Sequence, residues 1–200
     1  MPSQIWTDTT NQIFSVFLTI FINSSDDGIN ATQGDLETMV KVEGGYVDIK
    51  VGTGDTDAID SNGNIIQTGG IVIAKSGGQE GMASALDLDG SFTITGGTFI
   101  GAGSIASNPT SSSTANYVLF GSTSFQGGGP GGWRPAYNGV NFTEGNYTIS
   151  NTSISFTLPI NYSNLIVCSE HLLLNNTYTI SNGSTSYTWS QTSKATTYNN

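Results

Sequence analysis

One phrase recurs along the first half of the chain, and it limits the possible folds more than any other feature. Asp57-Ala58-Ile59-Asp60-Ser61-Asn62-Gly63 aligns with Ser84-Ala85-Leu86-Asp87-Leu88-Asp89-Gly90, and each is followed at the same distance by a double glycine, Gly69-Gly70 and Gly96-Gly97. An earlier copy opens Asp26-Asp27-Gly28-Ile29-Asn30 and reaches Gly44-Gly45 after a short insertion around residues 33–37. A β-prone run follows every glycine pair: Tyr46-Val47-Asp48-Ile49-Lys50-Val51, Ile71-Val72-Ile73-Ala74 and Thr98-Phe99-Ile100. The unit returns every 27 to 30 residues. A unit this short offers few apolar side chains and cannot bury them alone, so copies must stack and share a core. In Ser91-Phe92-Thr93-Ile94-Thr95, Phe92 and Ile94 point one way and the hydroxyl residues the other. Glycine pairs suit corners that need positive φ. The expected fold is all-β, a parallel β-helix of about three to four turns over residues 23–103. A β-sandwich would share the strand spacing, but it does not account for the same acids recurring at the same phase.

Composition agrees. Charged residues make up 10% of the chain against roughly 25% in an ordinary soluble domain, and Gly, Ser, Thr and Asn fill their place. The residues that build helices are scarce, which excludes an all-α fold. Apolar residues at 36%, alternating with polar ones, argue against disorder. Five basic residues against 15 acids cannot neutralise a run of phosphates, so nucleic acid is not an expected partner. Thirteen of those acids lie in residues 1–100; crowded acids must be spread over solvent or neutralised by a cation.

The flanks lack the repeat. Residues 1–22 read as an N-terminal cap or altered first turn, with Phe14-Ser15 where a glycine pair would stand. Residues 104–200 read as a Ser/Thr/Asn linker, 104–116, then an antiparallel β cap. Its strands are expected near Tyr117–Phe120, Tyr147–Ile149, Ser153–Leu158, Leu165–Val167, Tyr178–Ile180 and Tyr187–Trp189. Such a cap would cover the open edge of the last turn. Cys168, alone in an apolar run, reads as a buried structural thiol. The first residues have no basic n-region, so no signal peptide is visible. The apolar stretch Ile13–Ile22 is too short to span a bilayer.

Stacking the repeats superimposes Asn30, Asp60 and Asp87 in one column and Asp27, Asp57 and Ser84 in another, with Asp26, Asp55 and Asp89 close by. Carboxylates about 4.8 Å apart repel unless something positive lies between them. Oxygen donors with almost no nitrogen or sulfur suit Ca²⁺ rather than zinc. A plain solvated acidic face is the alternative. The spacing is not that of an EF-hand. Catalysis has little support. Asp26 and Asp27 would point to opposite faces of a strand, Arg134 is the only arginine, and His171 beside Glu170 reads as a surface pair. Trp133, Arg134 and Tyr137, on a loop that glycines keep open, are candidates for stacking on sugar rings; an ordinary packed Trp is the competing reading. Eight Asn-x-Ser/Thr sequons add little beyond what the composition dictates.

The phrases at 26–30, 57–63 and 85–98 resemble the carbohydrate-binding-domain family of secreted parallel β-helix proteins known from anaerobic bacteria and archaea. The likeness runs from about Ser24 to Gly103 and continues through Phe156-Thr157-Leu158-Pro159 and Asn176-Thr177-Tyr178-Thr179-Ile180. Residues 1–22 have no counterpart in it, so the match is to the family's C-terminal part. The resemblance implies a right-handed helix, bound Ca²⁺, a location outside the cell or at its surface, and adhesion to acidic plant-type or cellulose-like polysaccharide. The expected function is therefore non-catalytic, calcium-dependent polysaccharide binding. A polysaccharide lyase or hydrolase on the same scaffold and a purely structural adhesin stalk are the alternatives.

Overall fold

The computed structural model describes residues 18–32, 38–78, 83–105, 107–121, 125–126, 134–135 and 140–198. The protein is all-β, without a helix among those residues and without a closed barrel. Eleven short strands make up its first part: β1 (Thr19–Ser24), β2 (Ile29–Ala31), β3 (Met39–Val42), β4 (Tyr46–Val51), β5 (Ile59–Ser61), β6 (Asn64–Gln67), β7 (Ile71–Lys75), β8 (Ser84–Leu88), β9 (Phe92–Ile94), β10 (Thr98–Ala102) and β11 (Ser104–Ile105). They pair in three stacks: β1-β4-β7-β10, β2-β5-β8-β11 and β3-β6-β9. Every pairing within these stacks is parallel. The chain visits the stacks in the same cyclic order, one strand in each per circuit.

Alternation decides what each strand buries. Inward positions Ile49, Ile59, Ile65, Val72, Leu86, Phe92, Ile94 and Phe99 form one core enclosed by the three stacks. Level by level they lie on one another, as Ile59 on Ile29 and Phe92 on Ile65. Gln67, 1% exposed, is a long polar side chain set among these positions. Its Nε2 donates to the carbonyls of Gly69, Gly70 and Thr98 at 3.0–3.2 Å, bracing the corner across two circuits.

Those corners are the expected double glycines. Gly45, Gly70 and Gly97 take φ of 81°, 76° and 80°, one step before the paired residues Tyr46, Ile71 and Thr98. A Cβ on Gly97 would lie 2.2 Å from the Gly70 carbonyl oxygen, and one on Gly70 would lie 2.6 Å from the Gly44 carbonyl carbon. Glycine is thus required twice over, by conformation and by the distance between circuits. The first circuit differs from expectation. Register Thr19↔Tyr46 places Leu18, not Ser15, level with Gly45, because β1 runs on to Ser24 and crosses the expected boundary at residue 22.

The second half adds β12 (Asn116–Phe120), β13 (Phe125–Gln126), β14 (Arg134–Pro135), β15 (Gly145–Ile149), β16 (Ser155–Leu158), β17 (Leu165–Ser169), β18 (Thr177–Ser181), β19 (Ser186–Ser190) and β20 (Ala195–Tyr198). Strand β17 pairs antiparallel with β10 and with β12, and β12 pairs parallel with β20, so the first stack grows into a seven-stranded sheet. The antiparallel cap exists as the sheet β16-β15-β18-β19. Its core, however, is shared with the outer face of the seven-stranded sheet: Ile73, Ile100 and Val167 meet Phe142, Tyr147, Phe156 and Trp189 there. Phe120, fully buried, touches the rings of Phe142, Tyr187, Trp189 and Tyr198.

The expected linker is not a spacer throughout. Ser104 and Ile105 belong to β11, and Thr110 N and Thr114 N donate to the carbonyls of Phe92 and Ile94, covering the free edge of β9. Short polar segments can do this because hydroxyls add bonds, as Ser113 Oγ does by accepting from Ile94 N at 3.0 Å. Cys168 is buried, and burial pushes its thiol well above the usual range.

Two glycine substitutions separate conformation from crowding. Gly183, at φ 89°, has nothing within 4 Å of where a Cβ would stand. Gly183→Ala should cost about 1–2 kcal/mol for the left-handed backbone alone. Gly70→Ala should cost clearly more, since the added methyl also meets backbone of the preceding circuit. Urea melts of both variants check this; equal losses would mean that the corners can spread.

Candidate functional site

The two acid columns differ in kind. In the inner one, side chains sit at the corner that leads into the second stack and act as hydrogen-bond acceptors between circuits. Asp27 Oδ1 accepts from Asp57 N at 2.8 Å, and its Oδ2 accepts from Asn30 Nδ2 at 2.8 Å. One circuit on, Asp57 Oδ1 accepts from Ser84 N and Ser84 Oγ at 2.7 and 2.5 Å. Asn64 repeats the device in the third stack, its Oδ1 accepting from Ser91 N and Ser91 Oγ. These carboxylates and amides tie each circuit to the next.

The outer column lies on the solvent face of the second stack. Asn30 pairs with Asp60 and Asp60 with Asp87, in the expected register. Asn30 and Asp87 are exposed, and Asp60 half so. Burial pushes the Asp60 carboxyl up, and the charges of Asp27, Asp87 and Asp89 push it further. Burial also pushes Asp57 up to about 6, against its hydrogen bonds from Ser84 and with added repulsion from Asp87 and Asp27. The fold therefore brings Asp27, Asp57, Asp60, Asp87 and Asp89 into one field. Asp26 and Asp55 are exposed on the flanking loops, and neither adds to that field.

The donors suit a hard cation, but they do not form a cage. Among the described residues no group of three or more acids, His or Cys converges closely enough to hold a metal ion. Asp27 and Asp57 are engaged by N–H and O–H donors, which leaves Asp60, Asp87, Asp89 and the Asn30 Oδ1. Ca²⁺ takes six to eight oxygens, so water or a ligand would complete most of the shell. The ion pairs among the described residues, Lys41–Glu43 and Lys75–Asp48, lie away from the column. Lys75 and Asp48 are both largely buried, and Tyr46 Oη donates to the same carboxylate at 3.4 Å.

A separate cleft of about 310 Å³ opens where the outer face of the seven-stranded sheet meets the β15–β16 turn. Tyr46, Ile71 and Thr98, the residues that follow the three glycine pairs, form one wall with Ile100. Ser153, Ile154 and Ser155 face them, and Glu170 and His171 close an end. Glu170 Oε1 accepts from Gly97 N at 3.0 Å. Among the described residues the His171 imidazole and the Ser153 and Ser155 hydroxyls have no hydrogen-bond partner. The cleft had no motif to announce it, although the position after each double glycine was a readable signal for its wall. Trp133 and Tyr137, the expected sugar-stacking residues, lie outside the described residues. Arg134 lies in β14, where its backbone pairs with Gln126.

No family model, curated protein or solved structure matches the chain.

The raised Asp57 carboxyl has a measurable sign. A pKa above the ordinary value near 3.8 means that the protonated form favours folding. That contribution is complete below the unfolded value and is lost as pH rises through about 6. In chelator, stability should therefore fall between about pH 4 and about pH 6.5, by about 1 kcal/mol from this residue after solvent screening. Asp57→Asn keeps an acceptor for Ser84 and should flatten the slope. Urea midpoints against pH give the result; an unaltered slope would show that this carboxyl does not titrate in the window.

Proposed function

We propose that the chain is a right-handed parallel β-helix segment that binds polysaccharide without cleaving it, at or outside the cell surface. Acidic plant-type or cellulose-like polymers are its ligands, and Ca²⁺ on the outer acid column bridges to the acidic ones. The cyclic passage through three parallel stacks supports the fold. The outward register Asn30–Asp60–Asp87 carries the functional reading, because it holds the Asp60 and Asp87 carboxylates side by side with no basic partner among the described residues. When bound, the cation would supply positive charge there. Asp60, Asp87, Asp89 and Asn30 would hold it, and the ligand-poor shell favours weak binding, in the 10⁻⁴–10⁻³ M class of extracellular calcium modules. A carboxylated sugar chain can then enter as further oxygen ligands, although a protein of charge −10 would otherwise repel it.

A lyase or hydrolase is the weaker reading. Asp60 and Asp87 lie on a sheet face rather than in a cleft, and Glu170 spends an oxygen on Gly97 N. No helix among the described residues is long and apolar enough to cross a membrane.

Retention on insoluble polygalacturonate should require Ca²⁺ at about millimolar level, disappear in EDTA, and fail in the double variant Asp60→Asn, Asp87→Asn. Calcium should also raise the melting temperature of the parent and not of that variant. Equal retention with and without EDTA would overturn the bridging mechanism, and release of new reducing ends would favour the enzymatic reading.

A further inference from the structure

We propose that the cleft beside the β15–β16 turn is a subsite for one amino-sugar unit, a hexopyranose bearing a free, protonated amine. The observations that point there are independent of the acid column, which lies on a different stack, and of any cation. The cleft volume, about 310 Å³, lies at the lower end of the range for small-molecule sites, which suits a single ring rather than a long chain. Its walls are mixed in the way a pyranose requires. Ile71, 41% exposed where most large apolar side chains are buried, offers a surface for the C–H face of a ring. Tyr46 stands beside it with its hydroxyl engaged by Asp48, which fixes the aromatic ring. Opposite, the Ser153 and Ser155 hydroxyls and the His171 imidazole, unpartnered among the described residues, can meet sugar hydroxyls.

Charge selects among sugars. Glu170 has Oε1 held by Gly97 N, which orients the carboxylate at the end of the cleft and leaves Oε2 without a hydrogen-bond partner among the described residues. Among the described residues no Lys or Arg lines the site, and His171 is the one basic residue there. An anionic sugar meets repulsion there, a neutral one meets only the ring contacts, and an ammonium gains a charge-assisted hydrogen bond as well. An N-acetylated unit has lost that charge and should bind like a neutral sugar.

The test is titration of the whole chain, in EDTA at about pH 6 where a sugar amine is charged, with glucosamine trisaccharide, its N-acetylated form, cellotriose and galacturonate trisaccharide, followed by calorimetry or NMR. The glucosamine form should bind about tenfold more tightly than cellotriose, equivalent to about 1.4 kcal/mol. Glu170→Gln should remove that advantage and leave the neutral affinity intact, and Ser155→Trp, on an exposed strand position, should block both. Spermidine controls for charge alone. If it binds as well as the glucosamine form, or if Ser155→Trp leaves glucosamine binding unchanged, attraction to an acidic surface explains the result and the subsite is refuted. No preference over cellotriose refutes the amine selectivity. All these arms are chelated, so they stand or fall separately from calcium-dependent retention on polygalacturonate.

Discussion

Parallel pairing at a fixed strand spacing is the constraint from which the rest of this molecule follows. Once Tyr46, Ile71 and Thr98 are level, every other residue of a circuit is level with its counterpart. The backbone ladder then forces like onto like. Isoleucine on isoleucine gains burial and glycine on glycine permits the corners, whereas carboxylate on carboxylate is penalised. The protein meets that penalty in two ways. On the inner column it turns carboxylates into acceptors for the N–H and O–H groups of the next circuit, which offsets part of the penalty. On the outer column it leaves them to solvent.

Ties between circuits and solvent-facing charge are thereby assigned to neighbouring residues of one phrase. Asp57 and Asp60 are three positions apart, yet one is 8% exposed and held by Ser84 and the other stands on the sheet face. The corner before β5 turns Asp57 inward, and alternation within β5 turns Asp60 outward. The cleft arises from a different circumstance: the outer face of the seven-stranded sheet is covered by the cap at Ile73 and Ile100 but not over the whole of Ile71.

What repeats was legible and what occurs once was not. The register Asn30–Asp60–Asp87, the glycine corners and six strands of the second half could be read from the chain, because periodicity and alternation are local signals; β13, β14 and β20 could not. The placement of the cap could not be, since β17 joins β10 across more than sixty intervening residues, and such pairing leaves no periodic trace. Residues 104–116 looked like a spacer for the same reason: Thr110 and Thr114 bond to β9 through backbone groups that any sequence carries. The first circuit was read three residues early because Leu18 has no glycine to mark its corner. The cleft was invisible for want of a motif, its walls coming from three circuits and a turn far along the chain.

The cyclic passage also gives the sequence something like a reading frame. Adding or deleting a whole circuit would leave every later residue on the same face, in the same column, above the same kind of neighbour. A single-residue slip within a strand would instead turn Ile59 outward and Asp60 inward, and the error would be passed to each circuit stacked upon it. The loops at residues 25–28 and 52–58 differ in length without disturbing the strands between them, so drift in length is absorbed at corners. Such a chain can change its reach by gene-level duplication of one unit while its surface pattern simply continues.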